Sequence, residues 1–91
     1  MFEWDAAKSA RNAAERGLPF DLGIDVLSGP ILESEDLRHD YGERRLRAVG
    51  IAEGRLLVCI YTARGPGLYR IISLRPANRK ERDAYRAAYP G

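Results

Sequence analysis

Arginines are placed in this chain where packing alone does not require them. Arg70 and Arg75 bracket an apolar run, Arg70-Ile71-Ile72-Ser73-Leu74-Arg75, and the segment after it adds Arg79, Lys80, Arg82 and Arg86. A guanidinium presents five N–H donors in a rigid fork that matches carboxylate or phosphate oxygens two at a time. A strand as apolar as Ile71-Ile72 has no packing need for such neighbours, so an anion is their natural ligand. Charge is also divided unevenly along the chain. Residues 1–40 hold four basic and nine acidic side chains, and residues 41–91 hold eleven and four. Lys80 is the only basic residue of the second part that is not arginine. The division suits a basic half that faces an anion, or two halves that attract each other across the fold, and both can hold together.

Other chemistry is sparse. His39 is the only histidine and sits in the polar, acidic stretch from Glu33 to Gly42. Cys59, the only cysteine, lies in the apolar run Leu56–Tyr61 and reads as a small core residue. A zinc-type Cys/His cluster, a Ser/His/Asp set and a Gly-rich phosphate loop before a helix are all missing, so neither metal nor cofactor is expected.

These residues need elements to hold them. A chain of 91 residues, 45% hydrophobic and 31% charged, fits one domain spanning 1–91. No apolar run approaches the ~20 residues of a membrane span. The opening Met-Phe-Glu-Trp-Asp lacks a signal-peptide apolar region, and a cytoplasmic location is expected. Phe2-Glu3-Trp4 reads as an extended lead-in. Asp5 is placed as an N-cap for an alanine-rich helix stopped by Gly17. A second short helix opens at Leu18-Pro19-Phe20 and turns Phe20, Ile24 and Leu27 inward. Ile31-Leu32 suggests a brief edge strand.

From Glu43 the pattern shifts to a period of two. It predicts strands over 44–51, 55–62 and 68–75, joined by turns at Ala52-Glu53-Gly54 and Arg64-Gly65-Pro66-Gly67. Asn78 then caps a helix running to Tyr89, with Glu81 at the capping-box position. Glu81 falls on the apolar side of that helix, which is costly unless it caps Asn78 or meets an arginine from the sheet. The predicted fold is α+β: two N-terminal helices, a three- to four-stranded antiparallel sheet and one C-terminal helix.

Four motifs in order carry a resemblance over nearly the whole length. They are Phe2-Glu3-Trp4-Asp5 with Lys8 and Asn12; His39 with Glu43 and Arg45 before Val49-Gly50; Tyr61-Thr62-x-Arg64-Gly65; and Arg70-Ile71-Ile72-Ser73-x-Arg75-x-Ala77 followed by Glu81, Arg82 and Tyr85. Together they resemble the BrnT family of bacterial type II toxins, ribonucleases with a RelE-like fold. Arg44 departs from the family at a position that is often acidic.

The resemblance implies RNA cleavage without a metal, the ribose 2′-OH attacking its own phosphate, with inhibition of translation as the result. On that reading Arg45, Arg64 and Arg75 surround the scissile phosphate and His39 is the candidate acid or base. Arg70, Arg79 and Arg82 hold flanking phosphates. Tyr85 lies on an apolar helix face that favours a core role over contact with the leaving group. The competing expectation for any one of these arginines is an internal pair with Glu43, Glu53 or Glu81. The implied partner is a BrnA-type antitoxin with a ribbon-helix-helix domain, in a hetero-oligomer that reaches operator DNA only through the antitoxin. The alternative is a non-catalytic module that binds an antitoxin or RNA without cleaving it.

Overall fold

The computed structural model describes residues 1–91 and contains, in chain order, β1 (Phe2–Trp4), α1 (Ala6–Arg16), α2 (Leu22–Ser28), β2 (Leu32–Glu35), β3 (Leu46–Ala52), β4 (Arg55–Gly65), β5 (Leu68–Pro76) and α3 (Arg79–Ala88). The strands form one sheet in the order β1-β5-β4-β3-β2. The meander β2-β3-β4-β5 is antiparallel, with tight turns from β3 to β4 and from β4 to β5 and the loop 36–45 between β2 and β3. Five strands therefore replace the expected three or four, and the sheet is mixed. The difference lies in Phe2-Glu3-Trp4, which pairs in parallel with Tyr69, Arg70 and Ile71. Three residues are too few to display a period, and this pairing depends on a strand more than sixty positions away.

Both faces of the sheet are covered. Alternation along β4 sends Leu57, Cys59 and Tyr61 into one core with Leu18, Phe20, Val26, Ile71 and Leu74, beneath α2. Val58 and Ile60 point the other way and join Val49, Ala77 and Tyr85 beneath α3. A strand buried on both sides reads as a continuous apolar run, which is the sequence signature of 56–61. Burying a side chain the size of Leu57 fully contributes about 1.5–3 kcal/mol.

α2 starts later than expected, at Leu22, with turns carrying Phe20 into the core. It lies so close to the sheet that a Cβ on Gly23 would come within 2.9 Å of Ile71 Cδ1. On β3, a Cβ on Gly50 would meet Val26 Cγ1 at 3.0 Å and the Val26 carbonyl oxygen at 3.1 Å. The ends of α1 follow their sequence signals. Asp5 Oδ1 accepts from the amides of Ala7 and Lys8 at 2.9 and 3.1 Å, and Gly17 closes the helix in the left-handed region at φ 69°. Asn12 fixes α1 to its surroundings by donating to the carbonyls of Leu18 and Leu74 at 2.7 and 2.9 Å. No helix is long and apolar enough to cross a membrane.

One irregularity in β5 controls what that strand presents. Tyr61 pairs with Ile71 and Ile60 with Ser73, so β5 holds one extra residue there, a β-bulge. Ile71 and Leu74 consequently share the α2 core although three positions separate them. Ile72 packs into the α3 core. Arg70 and Arg75, five apart, are brought to the same face by the same shift, paired with Thr62 and Val58 respectively.

Candidate active site

The α3 face of the sheet carries the basic residues. β3 places Arg47 there, paired with Ile60, whose side chain belongs to the α3 core. Val58, on the same face, pairs with Arg75 of β5. Between these arginines lies Glu81, from the first turn of α3. Arg75 donates through Nη1 to Glu81 Oε1 at 2.7 Å and through Nη2 to Oε2 at 2.8 Å. Arg47 Nη1 donates to Oε2 at 3.2 Å. Glu81 also completes the capping box: its Oε1 accepts from the Asn78 amide at 2.9 Å, and Asn78 Oδ1 accepts from the Glu81 amide at 2.8 Å. The carboxylate is 6% exposed while Arg47 and Arg75 retain 43% and 30%. Arg75 above all, with the Asn78 amide and Arg47 adding to it against the cost of burial, holds the Glu81 carboxyl at about 2. Glu81 thus does both of the things that could justify its place on an apolar helix side.

A cleft of about 360 Å³ opens beside this group, lined by Arg47, Arg75, Glu35, Asp36, Leu37 and Arg38. Its far wall is built on Asp36, a buried carboxylate that accepts from Arg38 Nε and Nη2, both at 2.9 Å, and from the Tyr41 hydroxyl at 3.2 Å. The Arg38 fork is the main reason that its carboxyl is held at about 2.

Arg45 and Arg64 form a second cluster through a shared carboxylate. Arg45 Nε lies 3.1 Å from Glu43 Oε2, and Arg64 Nη2 lies 3.5 Å from Glu43 Oε1. The Arg45 guanidinium sits over the Tyr41 ring, its Cζ 3.9 Å from the centroid. His39, exposed, meets the same ring edge-on at 5.6 Å. His39, Arg45 and Arg64 are therefore joined through Tyr41 and Glu43, whereas Arg75 stands with Arg47 and Glu81.

The remaining expected residues lie outside these two clusters. Arg70 pairs with Glu3 across the β1–β5 edge at 3.1 Å. Arg82 Nη1 donates to the Ala77 carbonyl at 2.7 Å. Arg79 is exposed, with Asp83 at 3.9 Å. Tyr85 is buried and donates to the Pro30 carbonyl at 3.0 Å, the packing role its helix face suggested. Sequence reasoning passed over Arg47 and Tyr41. Arg47 was signalled by alternation, because residues two apart on a strand share a face and Arg45 was already a candidate. Tyr41 had no such signal, since its position depends on a loop. No group of three or more His, Cys, Asp or Glu side chains is arranged to hold a metal ion.

No curated protein matches the chain. Among solved structures it is similar to the Brucella abortus ribonuclease toxin BrnT, known at 1.1 Å resolution, with 28% sequence identity and a TM-score of 0.62. That similarity covers 87% of this chain and 99% of the Brucella protein. A sequence model described as the ribonuclease toxin BrnT of type II toxin-antitoxin systems matches residues 4–81. With that span of its 91 residues matched, the chain belongs to the BrnT family of ribonuclease toxins of type II toxin-antitoxin systems.

Proposed function

We propose that this toxin is a metal-independent endoribonuclease with a RelE-like arrangement, acting on RNA in the cytoplasm and so arresting translation. The ribose 2′-OH attacks the adjacent phosphorus, the bond from phosphorus to the 5′ oxygen breaks, and a 2′,3′-cyclic phosphate and a 5′-hydroxyl result. One proton leaves the 2′ oxygen and one reaches the departing 5′ oxygen. Arg45, Arg64 and Arg75, with Arg47 added, stabilise the charge that gathers on the phosphate oxygens. His39 is the candidate for proton transfer, and Arg70, Arg79 and Arg82 are candidates for flanking phosphates.

The observation that carries this reading is the gathering of Arg47 and Arg75 at one cleft on the α3 face, each with a solvent-facing portion. As a toxin of a type II system, the protein has a protein antitoxin as partner. We assign it a BrnA-type antitoxin with a ribbon-helix-helix domain, in a hetero-oligomer that contacts operator DNA only through the antitoxin. The test is incubation of antitoxin-free protein with RNA in EDTA. Wild type should leave cyclic phosphate ends, and His39→Ala or Arg45→Ala should slow cleavage on the order of a hundredfold. Cleavage that vanishes with EDTA, or rates unchanged in both variants, would sink the mechanism.

A non-catalytic reading draws on one observation, that Arg45, Arg64, Arg70 and Arg75 each already face a carboxylate. It predicts salt-dependent RNA affinity with no cleavage at all.

A further inference from the structure

The hydrogen bonds around Glu81 leave specific donors unspent. Arg75 uses Nη1 on Glu81 and, at 3.3 Å, on the Pro76 carbonyl, and one Nη2 hydrogen on Glu81. Its Nε–H and the second Nη2 hydrogen, which lie along one edge of the guanidinium plane, have no partner in the protein. Arg47 uses Nε and Nη2 on Ser34 Oγ at 3.2 and 3.1 Å and Nη1 on Glu81. Its remaining donors are one hydrogen on each Nη. Both arginines line the same cleft. Arg75, engaged at its end by a carboxylate, keeps its side edge for a second two-point contact of the kind phosphate accepts, while Arg47, whose side edge is on Ser34, adds single donors from its Nη atoms.

We infer that Glu81 is a positioning residue: it fixes the planes of Arg75 and Arg47 so that their unspent donors form a ready-made phosphate site in the cleft. The inference rests on the proposed cleavage and assigns a role within that same site. Glu81 is itself immobile, because the capping box ties its carboxylate to the start of α3. The orientation of two arginines from β3 and β5 is thus set from a third element. An arginine held this way spends less rotamer entropy on its ligand than a free one. Glu81 is buried, so it serves from behind the arginines and does not reach into the cleft to compete with phosphate.

Three variants separate this role from mere stability. Glu81→Gln keeps the length and can still cap Asn78, but it loses the charge and one acceptor. Glu81→Asp keeps the charge but is too short to reach both arginines and the cap together. Asn78→Ala removes the side-chain cap alone, at a cost of about 1 kcal/mol. Single-turnover cleavage of an RNA oligonucleotide in EDTA is measured below the melting transition of each protein. The expected result is a rate constant lowered on the order of tenfold to a hundredfold in both Glu81 variants, with KM changed far less, and a rate near wild type in Asn78→Ala.

A second readout needs no activity. In nitrogen–proton NMR of the arginine side chains, inorganic phosphate should shift the Arg75 and Arg47 signals together in wild type, and the two should lose that joint response in Glu81→Gln. Wild-type-like phosphate response in Glu81→Gln overturns the inference even if the enzyme proves inactive on RNA. A faster Glu81→Gln enzyme also overturns it, because Glu81 would then be an occupant of the phosphate site. If wild type responds to phosphate through these arginines but does not cleave RNA, the positioning role stands and the cleavage reading fails.

Discussion

Tyr41 is held between Arg45 and Asp36: the guanidinium lies 3.9 Å from its ring centre, and its hydroxyl donates to the buried carboxylate at 3.2 Å. This one ring ties the loop bearing His39 to the start of β3. A cation–π contact at a partly exposed site contributes ~0.5–1 kcal/mol, comparable with the hydrogen bond. Removing the two separately is therefore informative. Tyr41→Phe keeps the stacking and should hold RNA cleavage within about threefold of wild type, whereas Tyr41→Ala loses both contacts and should slow it on the order of tenfold or more. Equal rates in both variants would show that the loop is positioned by something else.

Two carboxylates make stability dependent on acid. Asp36 and Glu81 are both held at about 2, below reference values of 3.8 and 4.5, chiefly by Arg38 and Arg75. A depressed carboxylate contributes stability that is fully present above its unfolded value and is lost as pH falls toward the folded one. The urea midpoint should therefore decline between about pH 5 and pH 2. Arg38 is largely exposed, so the Asp36 contribution is on the order of 1 kcal/mol after screening. Asp36→Asn and Glu81→Gln should each flatten the decline. A midpoint unchanged between pH 5 and pH 2 in wild type would contradict this account.

Tyr61 provides the alkaline counterpart. Burial, with the Glu33 carboxylate that accepts its hydroxyl proton adding to it, raises the phenol well above its ordinary range. The neutral form is the one favoured by folding. Its stabilisation is present below the unfolded value of about 10 and fades as pH rises through and beyond it. Tyrosinate absorbance should show a late-ionising component in wild type that is missing from Tyr61→Phe. If the two titration curves superimpose, the Tyr61–Glu33 contact does not persist in solution.

Gly50 sets the distance between α2 and the sheet. A Cβ there would stand 3.0 Å from Val26 Cγ1, 3.1 Å from the Val26 carbonyl oxygen and 3.2 Å from Ile31 Cγ2, closer than ordinary van der Waals contact. Gly50→Val gains strand propensity but overpacks this contact, and should destabilise by ~1–3 kcal/mol. Thermal melting decides the sign. A higher melting temperature would mean that α2 can lift without loss.

The parts of this molecule that sequence made legible are those decided locally. Asp5 and Gly17 bound α1, and Asn78 with Glu81 starts α3, because caps are read within three or four residues. Cys59 is the buried core residue its surroundings suggested, and burial pushes its thiol up to about 12. The pairing of β1 is non-local and so leaves no local signal, and Arg47 lies outside the four motifs. The acidic first half and basic second half do meet, but selectively. Glu3 takes Arg70, while Arg45, Arg64 and Arg75 find acids from the second half itself, Glu43 and Glu81. Partner choice of that kind depends on the fold, and residue counts do not reveal it.

The extra residue in β5 has a consequence for how this gene product can lose its activity. Ile72 and Ser73 both face α3, so deletion of either restores strict alternation without turning Arg70, Ile71, Leu74 or Arg75 to another face. Deletion of Leu74 has no such relief, because it brings Ser73 or Arg75 into its place in the α2 core. A single lost codon should therefore disarm the toxin at Leu74 and be borne at Ile72 or Ser73.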